Sequence, residues 1–248
     1  MTSPCCSIAK NTFFGLIAVS VGAWGASGLV AKADEPKAPP VETPGPFVPA
    51  PPPEGAIVLF DGKDASHWTH LNGKPVKWEV VDGEFRCKPG SGDVMTKDKF
   101  RDAEIHVEFA TPLMPDKHSQ ARGNSGVYLQ GRYELQILDS YHDETYPDGQ
   151  CGAIYKQYVP LKNACRPPLE WQSYDIVFKG ARKEGDKIVN ARVTVKQNGI
   201  LIQDNVELKT VTPGEMDRNV TEPGPLRLQD HGNLVKFRNI WMKKLDDK

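Results

Sequence analysis

Gly123-Asn-Ser-Gly-Val-Tyr-Leu-Gln-Gly-Arg-Tyr-Glu-Leu-Gln-Ile-Leu-Asp139 is the stretch on which the reading of this chain turns. It reads as two short strands joined near Gly131-Arg132. In the second strand Tyr133, Leu135 and Ile137 share one phase and Glu134 and Gln136 the other, the period of two that marks a strand with one packed face. The second face carries a carboxylate and a carboxamide, so it is either solvated surface or the floor of a cleft. Turn residues at Gly123-Asn124 and Gly131, with Asp139, bracket the segment.

Outward from it the same alternation and turn chemistry recur. Residues 56–60 form a short apolar strand closed by Asp61-Gly62, and Asn72-Gly73 marks a turn. Residues 77–81 and 84–87 flank Asp82-Gly83, a two-residue hairpin signal, and 93–96 is placed to pair next. Ile105, Val107 and Phe109 alternate with Glu104, His106 and Glu108, which assigns His106 to the surface. Further strands are read at 173–178, at 191–196 turning at Asn198-Gly199 into 200–203, at 225–230 and at 235–243. No stretch carries a sustained 3.6-residue repeat. Roughly ten to thirteen short strands predict an all-β fold, a two-sheet sandwich or jelly roll. The long connections 111–122 and 140–168 are where binding groups are expected.

Composition bounds the rest. Residues 1–33 have the form of an export signal, with Lys10 ahead of a mostly apolar run and a small-x-small site at Ala31-Lys32-Ala33. Retention as a membrane anchor is the alternative. Removing the segment takes the net charge from −1 to −3, because it carries Lys10 and Lys32 and no acid. A chain so near neutrality is unsuited to nucleic-acid binding by bulk charge. Residues 34–54 contain nine prolines and no apolar periodicity, which predicts an extended, largely unpacked linker. Residues 55–248 suffice for one domain with a substantial core. The expected location is outside the cytoplasm, periplasmic or extracellular. In that oxidising setting a Cys151–Cys165 bridge and three buried free thiols are both open, with Cys87 unpaired in either case.

A series of local motifs then narrows the field. Leu59-Phe-Asp-Gly-Lys63 followed by Trp68, Trp78-Glu-Val-Val-Asp-Gly-Glu84, Gly123-Asn-Ser-Gly-Val127 and Tyr133-Glu-Leu-Gln-Ile-Leu-Asp139 occur in that order. Gly152-Ala-Ile-Tyr155, Glu170-Trp-Gln172, Gln197-Asn-Gly199, Leu228-Gln-Asp-His-Gly232 and Phe237-Arg-Asn-Ile240 follow. Together, over about residues 56–245, they resemble the 3-keto-disaccharide hydrolase domain family, in the exported form common among planctomycete-type bacteria. The resemblance implies a concanavalin-A-like two-sheet jelly roll with a concave carbohydrate-binding face, and a 3-keto-glycoside as ligand. A ketone at C3 acidifies the hydrogen at C2, so the C1 substituent can leave by elimination and water can add back. That route needs a base near C2, donors on the enolate oxygen and an acid at the leaving oxygen.

His231, in phase with Arg227 and Gln229, is the first candidate for the base, since histidine titrates near neutrality. A structural hydrogen bond to Asp230 is its plainer role. Glu134 and Asp139 are the carboxylate candidates, and each could instead pair with Arg132 or Lys156. The same acids with Asp230 could ligate Ca²⁺, although no Asp-x-Asp-x-Asp-Gly loop is present; no other cofactor is expected. Arg122 and Arg238 could grip an enolate or hydroxyls. Asn124, Gln136, Gln229 and Asp230 are read as hydroxyl-binding, and Tyr128, Tyr155 and Trp171 as stacking platforms, against the commoner fate of core packing. Two other functions fit the same chain: a non-catalytic carbohydrate-binding module, and an envelope scaffold tethered by the proline-rich arm.

Overall fold

The computed structural model describes residues 36–245; the export segment read at 1–33 lies outside them. In chain order the strands are β1 Ile57–Phe60, β2 Trp68–His70, β3 Glu79–Val81, β4 Glu84–Arg86, β5 Val94–Phe100 and β6 Ala103–Ala110. There follow β7 Ser125–Leu129, β8 Tyr133–Ile137, β9 Gln172–Lys179, β10 Arg182–Glu184 and β11 Lys187–Val189. The last are β12 Ala191–Gln197, β13 Ile200–Leu208, β14 Gly224–Leu228 and β15 Lys236–Lys244. Apart from two 3₁₀ turns, Ser119–Ala121 and Pro147–Gly149, no helix occurs among the described residues. None of these is long and apolar enough to cross a membrane.

The fold is a concanavalin-A-like jelly-roll sandwich. One sheet runs β13-β12-β9-β6-β15-β4-β3, with β1 also paired to β15, and the other runs β2-β5-β14-β7-β8. Inward-facing residues of both sheets meet in a single core; Val107, Phe109, Leu135, Tyr174, Leu226 and Phe237 are all fully buried in it. At one end Phe85 packs against Phe60, Trp68 and Trp78, with ring centroids 5.2, 5.6 and 5.2 Å away. Truncating such a residue to alanine costs about 3–5 kcal/mol.

The turns follow their chemistry. Asp82 and Gly83 sit at φ 54° and 77°, and Asn198 and Gly199 at 52° and 83°, the positive values a two-residue hairpin turn requires. Gln130-Gly131 joins β7 to β8 in the same way, at 53° and 68°. The strand read at 93–96 continues to Phe100 and pairs with β2 and β14 rather than with the preceding hairpin. The short β2, β10 and β11 had no signal in the alternation.

One expectation is corrected on the outer face of the larger sheet. His106 is 1% exposed, not a surface residue. Its ring stacks on Trp241 at 5.4 Å, and Nδ1 lies 2.6 Å from Asp175 Oδ1. The proline-rich segment keeps most of its residues exposed but is anchored at a few backbone carbonyls. Glu42 N donates to Asn163 O and Asn163 N to Pro40 O, while Asn239 Nδ2 and Trp241 Nε1 both donate to Ala50 O. The segment thus covers Trp241, which in turn shields His106. Prolines lack an amide donor but keep their carbonyls, so such an arm docks by accepting bonds. Cys87, Cys151 and Cys165 are buried free thiols, the second of the two alternatives.

Candidate active site

β7 and β8 place Tyr128 opposite Glu134 and Gly126 opposite Gln136, and β14 places Arg227 opposite Tyr128. Val127, Leu135, Leu226 and Leu228 face the core. Alternation therefore sends Tyr128, Glu134, Gln136 and Arg227 to the opposite face of the smaller sheet. There a cavity of about 180 Å³ is lined by Tyr128, Glu134, Gln136 and Asn124, and by Gln229 and His231 just beyond the end of β14. Gln120 and Tyr155 come in from the two long connections, and Pro213 closes a side.

Glu134 sits at the bottom, 4% exposed. Tyr128 Oη donates to its Oε2 at 3.0 Å, and Gln229 Nε2 lies 3.4 Å from the same hydroxyl. The Arg227 guanidinium lies 3.7 Å from the Tyr128 ring centroid and donates to Gly214 O. Its Nε is 3.0 Å from Asp93 Oδ2, off the line of a directed hydrogen bond, so that contact is ionic. Burial raises the Glu134 carboxyl to about 7; the Tyr128 hydrogen bond and the Arg227 charge oppose the rise, and Asp93 adds to it. Burial also pushes the Tyr128 phenol up, so it remains a donor at neutral pH. Gly126 leaves room for this arrangement: a Cβ there would meet Glu134 Oε1 at 2.5 Å.

The amides lining the same cavity are linked in a chain. Gln120 Oε1 accepts from Gln136 Nε2 at 3.0 Å, and Asn124 Nδ2 donates to Gln120 O at 2.8 Å. Gln136 Oε1 and Gln229 Oε1 are buried without a hydrogen-bond partner among the described residues. Two orphaned acceptors on side chains lining one cavity are a demand for donors, and sugar hydroxyls are donors. His231 is exposed at the rim. Tyr146 and Tyr155 share a 2.7 Å hydroxyl contact at the other end, with Lys156 Nζ 3.4 Å from the Tyr146 centroid.

The cavity gathers Glu134, His231, Asn124, Tyr128, Gln136, Tyr155 and Gln229 from the residues expected of it. It does not gather the rest. Asp139 lies past the end of β8, fully buried, and takes Arg122 Nε at 2.7 Å on Oδ2 and Tyr141 N on Oδ1. Arg122 is thereby spent on an ion pair. Asp230 accepts from Gly92 N and Gly232 N, one on each oxygen, and so shapes the turn carrying His231. Arg238 and Trp171 lie together on the outer face of the other sheet, 4.1 Å apart, where Arg238 Nε donates to Glu108 at 2.6 Å. Neither Arg132 nor Lys156 reaches Glu134; they pair with Asp217 and Asp148. Among the described residues no group of three or more His, Cys, Asp or Glu side chains is placed to hold a metal ion. Gln120 and Pro213 escaped sequence reading because they arrive on loops with no periodicity to follow.

The model of the 3-keto-alpha-glucoside-1,2-lyase-like domain matches residues 55–243. A 3-keto-disaccharide hydrolase from Bacteroides thetaiotaomicron is 27% identical over 247 aligned residues, spanning 78% of this chain and 79% of that protein. A crystal structure from Parabacteroides distasonis ATCC 8503, described as a candidate glycosyl hydrolase, is similar with a TM-score of 0.74 at 41% identity, over 92% of this chain and 100% of that one. A second candidate glycosyl hydrolase from the same organism gives 0.59 at 26% identity, over 78% and 95%.

Proposed function

The chain belongs to the 3-keto-alpha-glucoside-1,2-lyase-like family, and from that premise we propose that it is an exported enzyme cleaving the glycosidic bond of 3-keto-glycosides in the Glu134 cavity. One observation carries the reading: a buried carboxylate in a cavity lined by amides, its pKa raised to about 7, beside orphaned amide oxygens. A base of that pKa is matched to proton abstraction at neutral pH.

In the proposed route Glu134 takes the C2 proton, and the electron pair forms the enolate across C2 and C3. The side-chain amide of Gln229, which spends one N–H on Tyr128 Oη, is the donor available to the enolate oxygen. Collapse of the enolate restores the ketone, forms a C1–C2 double bond and breaks the C1–O bond. His231 at the mouth protonates the departing oxygen. Water then adds at C1, giving one proton to His231, while the proton held on Glu134 returns to C2, giving net hydrolysis; release before hydration gives the lyase outcome. Arg122 and Arg238 take no part, being committed elsewhere.

The test is incubation with 3-keto-trehalose, 3-keto-lactose and a 3-keto-phenyl glucoside beside their unoxidised parents. Release of the C1 substituent from keto forms alone, abolished in Glu134→Gln, is the expected result. Saturable binding with no release would instead mark a carbohydrate-binding module, and no binding at all would leave the scaffold role.

A further inference from the structure

A second and larger cavity, about 550 Å³, lies between the proline-rich arm and the connection after β8. Its volume falls within the range of small-ligand sites. Pro39 and Val41 of the arm form an apolar wall. The arm is fixed there by the paired hydrogen bonds that Pro40 and Glu42 make with Asn163.

The facing wall is polar. Ser140 and Gln150 line it at 2% and 6% exposed. Ser140 Oγ and Gln150 Nε2 are both buried with no hydrogen-bond partner among the described residues. Leaving a hydroxyl and an amide donor desolvated and unpaired costs about 1–3 kcal/mol each, a cost that a ligand offering hydroxyls would relieve. Asp143, Glu144 and His142 also line the cavity and no lysine or arginine does; Asp143 is paired with His118 and Arg122, so Glu144 is the free carboxylate and disfavours an anionic ligand. Tyr141, partly exposed, supplies an aromatic surface.

We propose that this cavity is a second carbohydrate site, which holds a neutral pyranose unit with its C–H face on the Pro39–Val41 wall and its hydroxyls toward Ser140 and Gln150. It is separate from the Glu134 cavity: Gln120, which lines that one, donates 2.8 Å to Thr145 Oγ1, which lines this one, so the two share a wall and not a floor. The proposal stands whether or not the Glu134 cavity turns over 3-keto-glycosides.

The test measures binding of unoxidised trehalose and maltose to the full chain by ligand-observed NMR and calorimetry at neutral pH, with glucuronate as the anionic comparison. Saturable binding of the neutral sugars is expected, with glucuronate markedly weaker. Glu134→Gln should retain it while losing turnover, which separates the two cavities. Gln150→Leu and Ser140→Val should each weaken it about tenfold. Should those buried variants fail to fold, Glu144→Lys at the exposed rim should bring glucuronate binding up toward that of the neutral sugars. Absence of saturable binding, or binding lost in Gln229→Leu and indifferent to the Gln150, Ser140 and Glu144 variants, would overturn the proposal.

Discussion

Tyr128 Oη and Glu134 Oε2 lie 3.0 Å apart across neighbouring strands, a donor held against a carboxylate that burial keeps half-protonated near neutrality. The pairing follows from strand register, since Tyr128 and Glu134 are directly opposite. Its pH behaviour is the first consequence. As the base, Glu134 must be ionised, so kcat/KM should rise with pH through an apparent pKa near 7. Glu134→Gln should lower kcat/KM by about 10²–10⁴ and leave no such limb in the profile.

The Tyr128 hydrogen bond favours the ionised carboxylate. Tyr128→Phe should therefore move the midpoint of the profile upward by about one unit, the equivalent of one hydrogen bond to a charged group. A pH–rate profile of the variant checks it, and an unmoved midpoint would show that a different group titrates.

Stability carries the same signature with the opposite sign. The folded chain holds the Glu134 proton up to about pH 7, whereas the unfolded chain releases it near the ordinary 4.5. Between those values the folded state binds more protons, so stability falls as pH rises and levels off above 7, by roughly 3 kcal/mol from this group. Denaturant melts of the parent and Glu134→Gln across that window should diverge, the variant lacking this component of the slope.

Gly126→Ala tests the close approach of strand and carboxylate. Gly126 is not at positive φ, so the only obstacle is the 2.5 Å contact between the new Cβ and Glu134 Oε1. The expected result is at least a tenfold loss of kcat/KM with a stability cost of about 1–3 kcal/mol.

Asp139→Asn should behave in the reverse manner. It removes the closer of the two carboxylates paired with Arg122, Asp143 remaining at 3.5 Å, and should cost about 1–3 kcal/mol in a melt. The fraction that remains folded should turn over within about threefold of the parent.

These contrasts mark where sequence reading reaches and where it stops. Asp-Gly and Asn-Gly turns and the alternation through Tyr133–Ile137 are local, so hairpins, the all-β class and the phase of Glu134, Gln136 and Gln229 were legible. Alternation says only that Arg238 points away from the core. A sandwich has two such faces, and Arg238 and Trp171 fall on the one opposite the cavity. Asp139 shares the parity of Tyr133, Leu135 and Ile137, the inward phase, which sets it apart from Glu134 and agrees with its full burial; its carboxylate alone suggested the cavity. His106 obeys its strand phase, yet Trp241 and the docked arm make its outward face an interior. Gln120 reaches the cavity through a turn with Ser119 at φ 51°, which no periodicity announces.

The docked arm has a consequence for where the molecule begins. The family model's match opens at residue 55, but the compact unit starts at Pro36. A chain trimmed to residues 55–245 would keep every strand and still lose the Ala50 carbonyl that satisfies both Trp241 and Asn239. It would also lose the Gly45 carbonyl taken by Arg166, and the Phe47 ring beneath Arg166 and Arg238. The residues ahead of the family match thus act as a girdle over the outer sheet. A protease directed at proline-flanked sites should find that girdle resistant while the fold persists.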